Sequence, residues 1–334
     1  EMKFRSGVLG SSVNSSLLGS FTALLRLYQL WHGDGGDAKL TIKKAEAVFE
    51  DWRRTARDKL SSPDLCRMLH AMGAFEFAMG QLGAAHQLFL QVACTLDPQM
   101  ECKGTMEERQ LMVESMRSLG NVIRAQGQPH KAVQILERCV SASLDSFGPD
   151  DQRTAASQND LAVLYQELKR YDEAAVLFER SVPALEKSLG PDHPHVSAAM
   201  NGLATLYMLQ TQFDKALPVF LKAMQITERN LGLEHPQTAA MCNNLAGLYC
   251  AMTPPDFVKA QDLYDRCVAV QTKLLGEGHP HLADSLHNAA NCLYNQHKAA
   301  AALPLLQRAL KIRTAGFGAE SPQVSELKSW IHTV

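Results

Sequence analysis

The stretch LGPDHPHVSAAMNGLATLY, residues 189–207, decides the fold, because it joins a glycine–proline loop to an apolar helix start and is repeated along the chain. Similar loops begin at five places in the 334 residues, with glycines Gly148, Gly190, Gly232, Gly276 and Gly318 at steps of 42, 42, 44 and 42 residues. The two extra residues of the long step lie around Pro254 and Pro255. Self-similarity at a fixed period of this size predicts a protein built from repeats.

Each repeat contains two helical patterns separated by a short turn. A small residue in the first pattern is followed 12 residues later by a small residue in the second, or 14 later where the insertion intervenes. The pairs are Gly73 and Ala85, Gly120 and Ala132, Ala162 and Ala174, Ala204 and Ala216, Ala246 and Ala260, and Ala290 and Ala302. Small side chains let two antiparallel helices approach closely, and each pair buries its apolar face on its neighbours. The sequence therefore predicts an all-α helical solenoid of about six helix pairs over residues 64–318.

The boundaries of the helices are marked by their own signals. Asp214 stands where the N-cap of a second helix is expected, and Gly232 stands where that helix should end. Near the end of the chain, Ser321 and Pro322 are typical of a helix start. An apolar stripe follows them, formed by Val324, Leu327, Trp330 and Ile331. Residues 319–334 are therefore expected to form the capping helix that a repeat array needs.

The segment before the repeats has a different character. Residues 1–16 are expected to be a flexible tail or the remnant of a targeting segment. Residues 17–63 are expected to hold N-terminal helices, about 17–31 and 40–60, in which Trp31 and Trp52 lie.

The glycine, alanine and tyrosine positions of these repeats resemble the tetratricopeptide repeat. The LGxxHP…NxLAxLY form with a 42-residue period is most similar to the repeats of kinesin light chains and their relatives, closely over 148–318 and more loosely over 64–147. The resemblance implies a right-handed superhelix whose first helices line a concave groove. Kinesin light chains carry a long heptad coiled coil before the repeats, and residues 1–63 lack one, so the chain is not expected to be a kinesin light chain itself.

A recurring asparagine marks the face implied to line the groove. Asn201 lies three residues before Ala204, and positions three before, one after and four after this small residue share one face of a helix. The candidate partner- or peptide-binding residues at these positions are Arg117, Asn121, Arg124, Asn159, Gln166, Asn201, Asn243, His287 and Asn291. The basic ones are confined to one end, so the groove suits a neutral or mixed segment, with an acid at the arginine end.

Two interpretations of the asparagines remain open. An asparagine side chain supplies two donors and an acceptor, so a row of them can hold the main chain of an extended peptide. Alternatively, each asparagine bonds the adjacent loop or the backbone of the next repeat.

Histidines cluster in the repeat loops, and the His-x-His spacing raises the question of zinc. They are His193, His195, His235, His279 and His281. Because they recur once per repeat, without a cysteine or carboxylate at ligand spacing in any loop, we expect helix caps and no metal site.

Composition narrows the class of protein further. With a formal net charge of −2, the chain has no electrostatic basis for binding nucleic acid. Its eight cysteines form no CxxC motif and predict free thiols in a reducing, intracellular compartment. The longest apolar stretch, 17–31, is too short to span a membrane. No acidic residue occurs between Met2 and Gly33, which favours a mitochondrial location, with a cytosolic or cytoskeletal one as the alternative.

The predicted function is that of a non-catalytic protein–protein interaction scaffold, or of a structural or assembly subunit of a larger complex. The alternative is an adaptor that binds an extended peptide in the concave groove. The sequence contains no phosphate-binding glycine loop, no nucleophile elbow and no HExxH motif, so neither an enzyme nor a cofactor is expected.

Overall fold

The computed structural model describes residues 62–96, 104–318 and 321–333, and every regular element in these ranges is an α-helix. The helices are α1 (Ser62–Ala78), α2 (Leu82–Leu96), α3 (Met106–Ala125), α4 (Pro129–Phe147), α5 (Gln152–Glu167), α6 (Tyr171–Leu189), α7 (Pro194–Leu209), α8 (Phe213–Leu231), α9 (Pro236–Ala251), α10 (Phe257–Leu275), α11 (Pro280–Asn295), α12 (Ala299–Phe317) and α13 (Pro322–Thr333). The prediction of an all-α repeat fold is confirmed. The predicted tail, the helices predicted before residue 62 and the acid-free segment lie outside the described residues.

The chain divides into two compact units, one ending at Ser188 and the other beginning at Leu189. In the first unit, α1 packs on α2, α2 on α3, α3 on α4 and α4 on α5. In the second unit, each helix packs on the next one from α7 to α13. First helices of neighbouring repeats also touch, namely α1 with α3, α3 with α5, α7 with α9, and α9 with α11. The first helices of each unit therefore lie side by side.

The predicted small residues mark the closest approach of two paired helices. A methyl group added to Gly120 on α3 would lie 2.6 Å from Leu136 Cδ2 on α4, and one added to Gly73 on α1 would lie 2.9 Å from a ring carbon of Phe89 on α2. The same position of the second helix, four residues after its small residue, carries a large buried side chain in every repeat. These side chains are Phe89, Leu136, Phe178, Phe220, Tyr264 and Leu306. The core of each repeat is thus a small residue packed against a large one.

Loop residues start the first helices in the way that the sequence predicts. Asp151 Oδ1 accepts a hydrogen bond of 2.8 Å from the backbone N–H of Arg153. The Nδ1 atoms of His193, His235 and His279 accept the equivalent bond two residues on, at 3.1, 3.1 and 3.2 Å. Each of these three histidines precedes a proline in the first turn, which suits a helix start. The expectation that loop histidines act as helix caps is confirmed for these three.

One predicted cap is wrong. Helix α8 begins at Phe213, and its N-cap is Gln212, whose side chain makes no capping hydrogen bond. Asp214 lies inside the first turn, where its negative charge interacts favourably with the positive end of the helix dipole. The predicted end of this helix is right, since Gly232 closes it with φ of 82°.

The last helix of the chain covers the apolar end of the second unit. Val324 and Leu327 on α13 are buried, and Leu327 joins the cluster formed by Leu282, Leu286 and Leu306. Within the described ranges, no helix is both long and apolar enough to cross a membrane.

Replacing Gly120 by Ala is expected to lower the free energy of unfolding by up to about 2 kcal/mol. The new methyl group would overlap the fully buried Leu136, which costs about 1–3 kcal/mol, and the higher helix propensity of alanine returns about 1 kcal/mol. Urea denaturation measures the change. Gly83→Ala on α2 is the matched control, because no atom beyond its chain neighbours and the backbone of its own helix lies within 4 Å of the new methyl group. Equal effects of the two substitutions would contradict the close approach.

Stability is expected to fall as the pH drops from 7.5 to 5.5. Burial lowers the pKa of His235 and His279 below the ordinary value of about 6.5. The unfolded chain then binds more protons than the folded one, so the stabilisation is complete above that value and is lost as the pH falls through the folded pKa. Protonation of Nδ1 also removes the capping acceptor, and a lost cap costs about 1 kcal/mol.

The double variant His235→Asn and His279→Asn keeps a capping oxygen but does not titrate, so its unfolding free energy should depend less on pH. His130→Asn, at an exposed histidine inside α4 that caps no helix, is the control for replacing a histidine by asparagine. If the unfolding free energy of the double variant depends on pH as strongly as that of the wild type, the two histidine caps do not contribute to this dependence.

Candidate functional site on the first helices

The nine predicted groove residues lie on first helices, in two sets that belong to different units. Arg117, Asn121 and Arg124 lie on α3, and Asn159 and Gln166 lie on α5, in the first unit. In the second unit, Asn201 lies on α7, Asn243 on α9, and His287 and Asn291 on α11. All nine side chains keep some solvent exposure, and Asn291 is the most open. We call each set, together with its polar neighbours, the first-helix surface of its unit.

In the first unit, the arginines of this surface are paired with acids of the next repeat. Arg117 Nε donates to Asp160 Oδ2 at 2.8 Å, and Arg124 Nη1 donates to Glu167 Oε1 at 3.2 Å. The first pair is the more buried, with side-chain exposures of 29% and 18%. An acidic group of a partner would therefore compete with carboxylates that already hold both guanidinium groups.

In the second unit, the asparagines bond one another from repeat to repeat. Asn244 Nδ2 donates to Asn201 Oδ1 at 3.2 Å, and Asn288 Nδ2 donates to Asn243 Oδ1 at 3.1 Å. In both cases the acceptor lies three residues before the small residue of its helix, and the donor lies two before the small residue of the next first helix. One of the two interpretations placed the hydrogen-bond partner of each asparagine on the backbone of the next repeat. The observed partner does belong to the next repeat, but it is a side chain.

The partners in these contacts were missed by the sequence analysis. Asp160, Asn244 and Asn288 share the position two before the small residue, and each bonds a residue 43 or 45 positions earlier. A polar residue at this position in each of these repeats is visible in the sequence. Its significance emerges only when the first helices are placed side by side.

Some polar atoms of the first-helix surfaces remain available. The Nδ2 groups of Asn201 and Asn243 are not used in the contacts between repeats, which engage only the oxygens. On α5, Asn159 Oδ1 is buried and has no hydrogen-bond partner among the described residues. The surfaces therefore retain donors that could bind a partner, although much of their hydrogen-bonding capacity is spent internally.

His287 on α11, one of the nine predicted groove residues, is covered by the capping helix α13. The ring of Trp330 on α13 lies 4.8 Å from that of His287 and 6.2 Å from that of Tyr294, centroid to centroid. His287 is half-buried, and burial lowers its pKa. Access to His287 is thus limited by a residue of the same chain.

The loop histidines contact each other in pairs, one stacked and one tilted, rather than gathering around a common point. His193 faces His195, and His279 faces His281, each pair with ring centroids 5.1 Å apart. In the part of the chain that the structure describes, no three histidine, cysteine, aspartate or glutamate side chains are grouped so that they could hold a metal ion. The seven cysteines described are free thiols.

The sequence profile of the tetratricopeptide repeat matches residues 111–187, 195–253 and 256–315, more than half of the chain. The chain belongs to the tetratricopeptide-repeat family. This agrees with the paired helices and with the side-by-side first helices described above, and it confirms the predicted resemblance. No curated protein sequence matches the chain.

Solved structures of other repeat proteins have a similar fold. A variant of a Podosopora anserina protein described as a kinesin light chain with nearly identical tetratricopeptide-like repeats is 28% identical, with a TM-score of 0.54 over 64% of this chain and 99% of that one. BtubC (BKLC) from P. vanneervenii is 21% identical, with a TM-score of 0.58 over 73% of this chain and 94% of that one. A Rap protein complexed with Competence and Sporulation Factor is 12% identical, with a TM-score of 0.57 over 97% and 99%. The last two similarities show the fold alone.

The contact between Asn201 and Asn244 is expected to stabilise the second unit by about 0.5–1.5 kcal/mol, the net value of one hydrogen bond between neutral groups. A double-mutant cycle with Asn201→Ala and Asn244→Ala, followed by urea denaturation, measures this coupling. The pair Asn201→Ala and Asn288→Ala is the control, because Asn288 bonds Asn243 instead. Its effects should add, and additive effects in the first cycle would mean that the observed contact contributes nothing.

Proposed function

We propose that the chain is a non-catalytic protein–protein interaction scaffold, working as a structural or assembly subunit of a larger complex. The family supports a protein-interaction role in general. The observation that carries the finer proposal is that contacts between repeats already use the arginine charges and the asparagine oxygens of the first-helix surfaces. Such contacts fix neighbouring repeats relative to each other, which suits a surface presented in one shape to a constant partner.

Exposed apolar side chains outside the first-helix surfaces give this proposal further support. Val258 at the start of α10 is 75% exposed, and Leu233 in the loop before α9 is 59% exposed. Val176 on α6 and Leu221 on α8 are exposed as well. Single exposed apolar residues are common on protein surfaces. We include them in the proposal as contact points, although Met106 and Leu209 on first helices are exposed to a similar extent.

The second candidate is an adaptor that binds an extended peptide on the first helices. The free Nδ2 groups of Asn201 and Asn243 favour it, since they can donate to the carbonyl groups of a peptide backbone. The Rap protein of similar fold was solved with a bound factor, which shows that such a fold can hold a ligand. At 12% identity, this says nothing about the residues of the present chain.

The proposal includes protein partners and neither catalysis nor nucleic acid. Its basis is the family, whose members are typically scaffolds, together with the balanced charge of the chain. The similarity to other repeat proteins does not support a mitochondrial location, and the proposal does not depend on one.

Native purification of the full chain, with cross-linking and mass spectrometry, is expected to yield a partner at fixed stoichiometry. Cross-links should come mainly from the second helices and loops, for example from Lys222 on α8 and Lys311 on α12. A protein that is mostly free, with traces of partners cross-linked to the first helices, would contradict the scaffold proposal and favour the adaptor.

The triple variant Asn159→Ala, Asn201→Ala and Asn243→Ala separates the two candidates further. We expect it to enter the complex as the wild type does, within about twofold, while its thermal unfolding shifts down because contacts between repeats are lost. Loss of partner binding in a variant that remains folded by circular dichroism would favour the adaptor. Lys311→Ala, at an exposed position of α12, is the control for effects of substitution and purification that do not depend on the asparagines.

A further inference from the structure

Two thiols of the second unit meet between consecutive first helices. Cys250 lies at the end of α9 and Cys292 near the end of α11, and these two helices are in contact. The Cys250 S–H donates a hydrogen bond to the Cys292 sulfur. Cys292 is only 1% exposed, whereas Cys250 is half-buried and keeps contact with solvent. A small reagent can therefore reach the pair through Cys250.

The pair interrupts the apolar pattern of the repeats. Cys292 occupies the buried position two residues after the small residue of a first helix. In the other five helix pairs this position carries a larger apolar side chain, namely Phe75, Val122, Leu164, Leu206 or Leu248. Burial raises the pKa of Tyr264, and negative charge on Cys250 and Cys292 raises it further, so the tyrosine hydroxyl lies near both thiols. Polar groups thus replace apolar ones on three neighbouring helices at one place.

Neighbouring groups favour the ionised form of Cys292. The hydrogen bond from Cys250 lowers the pKa of Cys292 most, and the hydrogen bond from Gln296 and the charge of Lys298 lower it further. Gln296 Nε2 donates to Cys292 Sγ at 3.4 Å, and Lys298 Nζ donates to Gln296 Oε1 at 2.7 Å. Lys298 therefore holds the glutamine amide in place beside the sulfur.

The other buried thiols of the described residues have the opposite character. Burial raises the pKa of Cys66, Cys139, Cys242 and Cys267. Because the thiolate is the reactive form, these four are expected to react slowly with oxidants. The Cys250–Cys292 pair is set apart from them both by its contact and by its ionisation.

We propose that Cys250 and Cys292 are a redox-sensitive pair that a peroxide oxidises to a disulfide between α9 and α11. The proton of their shared hydrogen bond passes to Cys292, and the Cys250 thiolate attacks one oxygen of hydrogen peroxide. This gives a sulfenic acid at Cys250 and a hydroxide ion, which takes up a proton to become water. The Cys292 sulfur then attacks the sulfenic sulfur, and the thiol proton leaves with the hydroxyl group as a second water.

The disulfide changes the second unit in a way that the proposed scaffold function does not require. Cys292 follows Cys250 by 42 residues, so the bond closes a loop of about one repeat. It joins two consecutive repeats covalently at their first helices. The inference is therefore independent of which partner the chain binds.

The test is brief oxidation of the reduced full chain with hydrogen peroxide, followed by alkylation of the remaining thiols in denaturant and mass spectrometry of a tryptic digest without reduction. Cys292 is the only cysteine of residues 274–298, and Cys250 shares residues 230–259 with Cys242. A peptide that joins these two segments should form at least about tenfold faster than Cys139 or Cys267 is oxidised, and dithiothreitol should release it. Sulfinic or sulfonic acid at either cysteine without the joined peptide would overturn the proposal.

Cys250→Ser identifies the partner of Cys292, with Cys242→Ser as the matched control on the same helix. Cys250→Ser should abolish the joined peptide, because the half-buried position tolerates a hydroxyl but no disulfide can form. Cys242→Ser should keep it. A joined peptide that persists in Cys250→Ser or disappears in Cys242→Ser would assign the bond to Cys242 and overturn the proposal.

Thermal unfolding of the oxidised and reduced wild type tests whether the bond fits the native spacing of α9 and α11. A disulfide that closes a loop of this length should raise the melting temperature by roughly 5 °C or more. Peroxide should leave the melting temperature of Cys250→Ser unchanged. An oxidised wild type that melts at the same temperature as the reduced protein, or below it, would show that the bond does not join the folded helices.

Discussion

The fold depends on one packing constraint, the close approach of two paired helices at a small residue. Gly120 faces Leu136 so closely that even one additional methyl group would overlap it. In the later repeats an alanine takes the glycine position, and the facing residue is an aromatic side chain or a leucine that is equally buried. Because a close-packed interior tolerates little change in volume, this contact sets the spacing of each helix pair. Everything that the repeats present to a partner is carried on helices held at that spacing.

The loops add a second constraint, which acts on the path of the chain between repeats rather than on the distance between paired helices. In four repeats a basic residue of the second helix reaches back to an acid in the loop that begins the same repeat. The pairs are Lys187 with Asp150, Arg229 with Asp192, Lys273 with Glu234, and Arg308 with Glu277. These pairs are largely exposed, and exposed ion pairs contribute only about 0–1 kcal/mol each. Together with the histidine and aspartate caps, they favour one path for the chain between repeats.

The two first-helix surfaces use the same geometry with different chemistry. In the first unit, the contact between neighbouring first helices pairs an arginine with an aspartate. In the second unit, the same contact pairs asparagine with asparagine. The charged version is stronger and more sensitive to salt, whereas the amide version leaves neutral donors and acceptors at the surface.

The sequence by itself determined the repeats, the helix pairs, the small residues at their contacts and the histidine caps. Each of these is encoded within one repeat, by residues at fixed short separations, so it can be recognised without knowing what lies opposite. The sequence prediction placed the N-cap of α8 at Asp214, two residues after the observed N-cap Gln212, because local signals are weakest at a helix start. It also identified the asparagine face, but not whether Asn201 and Asn243 were free. Only the tertiary structure decided that, because their partners lie 43 and 45 residues away and meet them only when first helices pack side by side.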